Sequence, residues 1–583
     1  MSLAAKPDRG LNVAGWAMGG LFVFAVYSQV RLHTVDRDNT LRLADDTNRF
    51  TRTRKEHAKR GSILATDGRA IAQDEDAFEL SVQFKKIPRS EAFFLALASA
   101  TGIPASEFEA LAAAGVKSKN WRQPVGQAQA DAIANVKEEW RADGVSLARV
   151  QRRAYPLGAA ATGILGRLQE EGPKLGIEQS QNELLEGEDG VRRGLTDKRG
   201  AFLPTRMAGE TKAREDGENI QLTIDPELQT AASEAIRQAV VENKAENGAA
   251  IVLDPKTGDL LAMANWPAYE PYEPDGTPAP IPKGSDFNPA VMAQLEPGST
   301  FKILTLAKGL DTGDIRSTES LYCGGTFKAW KRGRAVHCDI HHGSRAHGSV
   351  DIEKAIAKSC NVAAATWALR VGYDPFVDFC RDLGLFRKSN LGIPGERSGN
   401  FNFEEPAKQL QLATVGFGQS LTCTPVSLAG AFGMLANDGV RMEPRLIKRI
   451  GNRERAIAEG KRIVSPQTAA RVLDCMEAVI ESDMGTGKDL RIPGYRLGGK
   501  TGTAEKVGAK WTGGRKPYVS NFVGYVPAQS PRAVILVMVN NPSAGKYYGA
   551  LVAGPAFKSM AEAVIHRYSI PPTEPIKPGK KQG

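Results

Sequence analysis

Hydrophobic and polar positions divide the chain into unlike stretches. Val13 to Tyr27 (VAGWAMGGLFVFAVY) is apolar and uncharged. With Leu11 and Val30 as flanks it approaches the roughly 20 residues that a bilayer span requires. The following SQVRLH offers no small-x-small cleavage site, so an uncleaved signal anchor over 11–30, behind a short cytoplasmic tail (1–10), is expected over a cleaved signal peptide or a buried helix. Lys6 and Arg9 precede the run and Arg31, Arg37 and Arg42 follow it, so charge does not fix its orientation. Asp36 to Arg60 is dense in charge and reads as a solvated juxtamembrane helix or stalk. The mixed pattern up to Asp216 carries helical periodicity at Ser90–Ala100 and Ala128–Trp140 with turn-rich strand-like stretches after it, an α+β composition over 31–216.

Beyond it, Gly217–Ile224 alternates like a strand, and Pro226 opens the helical run LQTAASEAIRQAVVEN. AAIVLDPKTGDLLAMANW reads as a hairpin around an Asp-Pro-x-x-Gly turn. Tyr518–Tyr525 and Arg532–Val539 are again strand-like, and Gly554–His566 is helical. A sheet that draws strands from both ends of 217–570, with helices between, is an α/β arrangement. The tail 571–583 (PPTEPIKPGKKQG) has the composition of a disordered segment.

Composition narrows the class. The chain has 583 residues, 42% hydrophobic and 24% charged, which excludes wholesale disorder, collagen and a polytopic membrane protein and suits two to four domains. The net charge of +10 is spread thinly, and no Lys/Arg run looks like a nucleic-acid arm; it suits a neighbourhood of anionic lipid or wall polymer. Six cysteines exclude a disulfide scaffold.

Three short patterns carry candidate chemistry: Ser299-Thr300-Phe301-Lys302, Ser359-Cys360-Asn361 and Lys500-Thr501-Gly502-Thr503. Each also occurs by chance, in Ser543–Lys546, Ser398–Asn400 and Lys256–Gly258, so context decides. Ser299 follows Glu-Pro-Gly and precedes the apolar helical run FKILTLAKGL, which puts its hydroxyl in a first turn with Lys302 on the same face. A serine hydroxyl needs a base, and lysine can serve only where its ammonium is destabilised. Ser359 and Asn361 lie between two helical stretches, where a turn can present both to a cleft or where either can simply cap a helix. Gly498, Gly499 and Gly502 strip side chains from around Lys500, Thr501 and Thr503, a cation and two hydroxyls suited to a carboxylate.

In this order and company, the three patterns resemble the S-x-x-K, S-x-N and K-T-G set of penicillin-binding proteins and class A β-lactamases. The chain resembles a class B penicillin-binding protein over nearly its whole length. Arg60-Gly61-Ser62-Ile63-Leu64-Ala65-Thr66-Asp67-Gly68 resembles the family's pedestal motif, with Ala65 and Thr66 departing from the usual Asp-Arg. Tyr155-Pro156, Gly166 and Gly176-Ile177-Glu178 resemble its second pedestal segment, and Phe522–Pro527 with Tyr547-Tyr548-Gly549 its last strands. The ending NNPSAGKYYGALVAGPAFKSMAEAVI resembles the division-type branch more than the elongation-type, which stays the alternative.

The resemblance implies a membrane-anchored D,D-transpeptidase with a periplasmic or extracellular catalytic domain, an antiparallel sheet sandwiched by helices. It implies acyl transfer through Ser299, with Lys302 as base and Ser359 and Asn361 assisting. Lys500, Thr501, Gly502 and Thr503 would bind the terminal carboxylate, and backbone N–H groups of Ser299 and Thr503 would form an oxyanion hole. It implies lipid-linked stem peptides as substrate, β-lactam antibiotics as acylating ligands, a polytopic SEDS-type glycosyltransferase as partner and no required cofactor. A β-lactamase-like hydrolase or a β-lactam sensor are the rivals; no E-x-x-L-N segment follows Ser359 to position a deacylating water. Cys323, Cys338, His347 and Cys360 surround the second pattern and could hold a structural zinc ion, form a Cys323–Cys338 disulfide, or remain free thiols. His341 and His342 read as loop residues, and Cys380, Cys423 and Cys475 as core in helical apolar contexts.

Overall fold

The computed structural model describes residues 9–36, 51–169, 172–195, 212–273, 277–328, 335–338, 346–401, 408–506 and 516–575. The far ends of both expected tails, residues 37–50 of the expected stalk, and His341 and His342 lie outside these residues. The chain divides into two compact units, one of residues 1–60 and 186–217, the other of 61–185 and 218–583.

In the first unit, helix Arg9–Thr34 covers the apolar run. Among the described residues, no helix is long and apolar enough to cross a membrane. Gly15, Gly19 and Gly20 dilute the run, although Trp16, Phe22 and Phe24 are exposed along it. The helix alternative for this stretch fails at its end: Thr51–Glu56 is a strand, paired antiparallel with Gly190–Leu195. Thr51, Arg52, Thr53 and Arg54 gain a ladder partner at every residue, which outweighs the weak helical tendency of a charged run. At its end Lys55 sits 2.7 Å from Asp189, and that hydrogen bond holds the Asp189 carboxyl down at about 2.

The second unit is built on a five-stranded antiparallel sheet, in the order Leu260–Trp266, Asn247–Leu253, Ala533–Asn540, Tyr518–Val526, Gly498–Glu505. The expected hairpin forms one edge. Strand Gly498–Glu505 forms the other, so one row of its backbone groups stays available to a ligand. Helices Pro226–Glu242 and Gly554–Arg567 cover one face. The first starts where Asp225 accepts from the Glu227 and Leu228 amides, a cap worth about 1 kcal/mol, and buries Leu228, Ala232, Ile236 and Val240. The other face is covered by a mostly helical layer that includes Phe301–Thr312, Asn361–Val371 and Pro425–Leu435.

A second sheet of seven strands joins residues of the expected pedestal to those of the catalytic region. Its single parallel pairing sets Ile63–Leu64 against Ile220–Leu222. Beside it Arg153, with its side chain 1% exposed, binds the fully buried Glu178 at 2.8 Å, Asp74 at 3.1 Å and the Gly61 carbonyl at 2.9 Å. The two pedestal motifs read from the sequence thus meet at one buried ion pair. Cys380 and Cys475 lie in helices, as expected; Cys423 does not, because it sits in an isolated bridge to Leu295 before the helix that Thr424 caps. All three are buried.

Candidate active site

Ser299 lies in a single 3-10 turn, Gly298–Thr300, that runs directly into helix Phe301–Thr312. Phe301, Ile303, Leu304 and Leu306 are wholly buried, so the sequence that makes this helix apolar also fixes it within the domain. Gly298 has φ +59 and approaches the edge strand: a methyl group there would sit 2.9 Å from the Thr503 carbonyl oxygen. Its amide donates to the Gly418 carbonyl at 2.9 Å, and Asn521 Nδ2 donates to the Pro297 carbonyl at 3.2 Å. The serine turn is therefore clamped between the Gly418 loop and the Lys500 strand. Ser299 itself is half-buried, open to the cleft.

Lys302, one turn on, is 1% exposed. Its ammonium donates to the Ser359 carbonyl at 2.5 Å, to Ser359 Oγ at 3.0 Å and to Asn361 Oδ1 at 2.5 Å. A desolvated ammonium is costly unless it is hydrogen-bonded, and these three acceptors match its three donors. Lys500, with no exposed surface, reaches the same hydroxyl: its Nζ lies 3.1 Å from Ser359 Oγ and 3.2 Å from Thr501 Oγ1. Two buried cations thus converge on one serine oxygen.

Ser359 meets both because of its backbone. It occupies the left-handed region, φ +55, between helices Ile352–Ala357 and Asn361–Val371. Such a conformation costs a non-glycine residue of order 1–3 kcal/mol and persists only where its surroundings impose it. Here the bonds Ser359 N–H to Ile356 O, 3.0 Å, and Cys360 N–H to Ala355 O, 2.8 Å, impose it. The residue that caps the second helix is Cys360, whose sulfur accepts from the Ala363 amide, so neither Ser359 nor Asn361 is spent on capping. Asn361 also donates through Nδ2 to the His337 carbonyl at 2.8 Å.

Thr503 accepts from the Gly549 amide at 3.1 Å, and Thr501 Oγ1 lies 3.5 Å from Thr486 Oγ1. The glycines act as the sequence suggested: a methyl on Gly502 would sit 2.2 Å from Asn521 Oδ1, and one on Gly549 would sit 2.3 Å from the Asn521 carbonyl. Hydrogen bonds gather Lys302, Ser359, Asn361, Lys500 and Thr501 into one cluster, and the close approach of Gly298 to Thr503 sets the Ser299 turn against the strand that carries Gly502. The chance matches lie elsewhere: Gly258 turns at φ +77 between the hairpin strands, and Ser543 donates to the Lys244 carbonyl. Sequence reading missed Asn521 and Thr486, which no motif marks. An Asn inside the apolar run Tyr518–Val526 was the available signal for the first.

The four residues expected around the second pattern also meet. The ligand atoms of Cys323, Cys338, His347 and Cys360 all lie within 4.8 Å of one another. Pairing of Ser320–Cys323 with Gly348–Asp351 sets Cys323 opposite Gly348, beside His347. The Cys323–Cys338 disulfide is not formed: their sulfurs are 3.4 Å apart, beyond the about 2.05 Å of a bond, and all six cysteines are unbonded. Cys338 lies 3.5 Å from Cys360, and Cys323 lies 3.6 Å from His347 Nδ1. Tetrahedral zinc with three thiolates and one imidazole sets sulfur–sulfur edges at about 3.8 Å and sulfur–nitrogen edges at about 3.6 Å, so these contacts come within a few tenths of an ångström of that geometry and the donor set fits the ion. Hydrogen bonding from Cys360 draws the Cys338 thiol well below its ordinary value, while Cys360 is pushed up by the same contact and by burial.

Comparison with known proteins bears directly on this cleft. A family model described as the penicillin-binding protein transpeptidase domain matches residues 248–562, and one described as the penicillin-binding protein dimerisation domain matches 55–222. The chain belongs to the class B penicillin-binding proteins. It is 31% identical over 569 residues to the probable peptidoglycan D,D-transpeptidase PenA of Neisseria gonorrhoeae, covering 96% of this chain and 93% of the relative. It is 29% identical to the peptidoglycan D,D-transpeptidase FtsI of Escherichia coli, over 90% and 86% of the two chains. The crystal structure of penicillin-binding protein 3 from Mycobacterium tuberculosis complexed with aztreonam superposes with a TM-score of 0.64 at 25% identity, covering 91% of this chain and 100% of that one. The division-type class B protein and the serine-type D,D-transpeptidase expected from the sequence are thereby shown.

Proposed function

We propose that this transpeptidase cross-links peptidoglycan stem peptides during septal wall synthesis, with Ser299 as nucleophile. The observation that carries the assignment of roles is the convergence of Lys302 and Lys500 on Ser359 Oγ, one helical turn from Ser299. Ser299 Oγ attacks the penultimate D-Ala carbonyl, and Lys302 takes its proton. The Ser299 and Thr503 amides stabilise the oxyanion, a contribution of about 3–4 kcal/mol for a single donor. Ser359, fed by both lysines, passes a proton to the departing D-Ala amine. Asn361 fixes Lys302, while Lys500, Thr501 and Thr503 bind the terminal carboxylate. An amine of a second stem peptide then takes the acyl group. β-Lactams acylate the same serine.

Helix Arg9–Thr34 serves as a single-pass anchor, with 31–216 as stalk and pedestal and 217–570 as an extracytoplasmic catalytic domain. Among its described residues the pedestal carries no catalytic constellation of its own, and it suits a partner surface for a SEDS-type glycosyltransferase. Cys323, Cys338, His347 and Cys360 hold a structural zinc ion that locks the Ser359–Asn361 turn through Cys360. Metal analysis with thiol titration tests this: one zinc per chain is expected, and reactive thiols without metal refute it. For the enzyme, Ser299→Ala abolishes labelling by a fluorescent penicillin and cross-linking of lipid-linked substrate polymerised by a glycosyltransferase. Full labelling of that variant refutes the nucleophile.

A further inference from the structure

A cleft of about 880 Å³ opens beside the carboxylate end of the Lys500 strand. Five lysines line it: Lys354 and Lys358 from the helix before Ser359, Lys488, Lys546 and Lys558. Among the described residues none of the five forms an ion pair. Of the two lining carboxylates, Asp483 is bound by Arg491 at 3.1 Å, which leaves Asp489 against five ammonium groups. The floor is apolar, and Met484 and Leu551 are 45% and 49% exposed there beside Tyr548. Thr486, on the rim, touches Thr501 at 3.5 Å, so the cleft continues the catalytic groove. A concave surface that is cationic at its walls and apolar at its floor suits an anionic peptide.

Direction along the strand selects which peptide. This argument rests on the functional reading above. With the acyl carbon at Ser299 and Thr503 and the terminal carboxylate at Lys500 and Thr501, the leaving D-Ala points toward Thr501, hence toward Thr486 and the lysine cleft. The acceptor amine enters along the path by which the leaving amine departed, since aminolysis is the reverse of acylation in form. We propose that the lysine-lined cleft is the acceptor subsite, holding the carboxylates of the second stem peptide while its amine reaches the acyl-enzyme. In that step the C–N bond forms, the bond between the acyl carbon and Ser299 Oγ breaks, and the proton lost by the amine returns to Ser299 Oγ.

The test uses the full chain with Lys488→Glu, Lys546→Glu and Lys558→Glu combined, none of which belongs to the catalytic cluster. The readouts are the rate of Ser299 labelling by fluorescent penicillin and the ratio of aminolysis to hydrolysis of a thioester acyl donor. The acceptors are a synthetic stem peptide with free carboxylates and a free side-chain amine, and its carboxamide counterpart. Labelling is expected to stay within about twofold, while the aminolysis ratio for the acidic acceptor falls about tenfold and that for the carboxamide hardly changes. In the unaltered protein, added salt should lower the ratio for the acidic acceptor alone. An unchanged ratio for the acidic acceptor, an equal fall for both, or salt insensitivity overturns the assignment. An unaltered protein that penicillin fails to label overturns the catalytic reading instead.

Discussion

Asn361 offers a quantitative test of how the base is held. Its Oδ1 accepts from the Lys302 ammonium at 2.5 Å, and that ammonium is 1% exposed, so water cannot replace the bond when it is lost. A hydrogen bond to a charged, desolvated group is worth about 1.5–3 kcal/mol. The Ser359 carbonyl and hydroxyl remain as acceptors for Lys302 in Asn361→Ala, so the loss stays within that range. Felt wholly in the transition state, it slows acylation about 10- to 150-fold. Asn361→Asp separates acceptor from charge: it keeps an oxygen near Lys302 but adds a negative charge that binds the proton more tightly, so its acylation is slow at neutral pH and recovers only as pH rises. Both variants lose the bond from Nδ2 to the His337 carbonyl, a stability cost of about 1 kcal/mol that urea unfolding reads separately. The assay is the second-order rate of labelling by a fluorescent penicillin across pH. An Asn361→Ala protein within about twofold of the parent would show that Ser359 alone positions Lys302, and the reasoning would fail.

Other perturbations follow from the same contacts. Arg153→Ala removes the guanidinium that pairs with the fully buried Glu178 carboxylate, so the urea midpoint should fall by the equivalent of about 3–5 kcal/mol, and a smaller loss in Arg153→Met with Glu178→Leu identifies the uncompensated charge as the cause; an unchanged midpoint in the single variant contradicts this. Burial raises the Glu296 carboxyl against the opposing Ser420 amide, so its native proton affinity exceeds the unfolded one, and the stability it contributes at low pH is lost as pH rises through the raised value. Glu296→Gln should therefore gain stability over the parent as pH rises above the ordinary carboxylate range, and a flat difference rejects the assignment. Gly549→Ala places a methyl 2.3 Å from the Asn521 carbonyl and 2.5 Å from that of Gly502, so the Lys500 strand must shift and penicillin labelling should slow at least about tenfold; parental kinetics would show that the strand yields freely.

Much of this was legible one-dimensionally. The 3.6-residue period of Pro226–Glu242 and the alternation around Asp254–Gly258 depend on local burial and turn chemistry, and both formed as read. Ser299 and Lys302 are near each other because one helical turn separates them in sequence. The Thr51–Glu56 strand was not legible, since its stabilisation comes from a partner 134 to 144 residues away.

What the sequence determined by itself was the set of reactive residue types and their local frames: a serine a turn before a lysine, a serine and asparagine astride a helix start, and a cation on a glycine-stripped strand. What only the tertiary structure decided was their meeting. Lys302, Ser359 and Lys500 lie 57 and 141 residues apart along the chain, and long-range burial alone places their polar ends about one oxygen. The same holds for the left-handed Ser359, for the unbonded cysteines gathered by strand pairing, and for the lysines of the neighbouring cleft. Local propensity acts through a few consecutive residues, whereas desolvation and charge convergence exist only once distant segments share a volume.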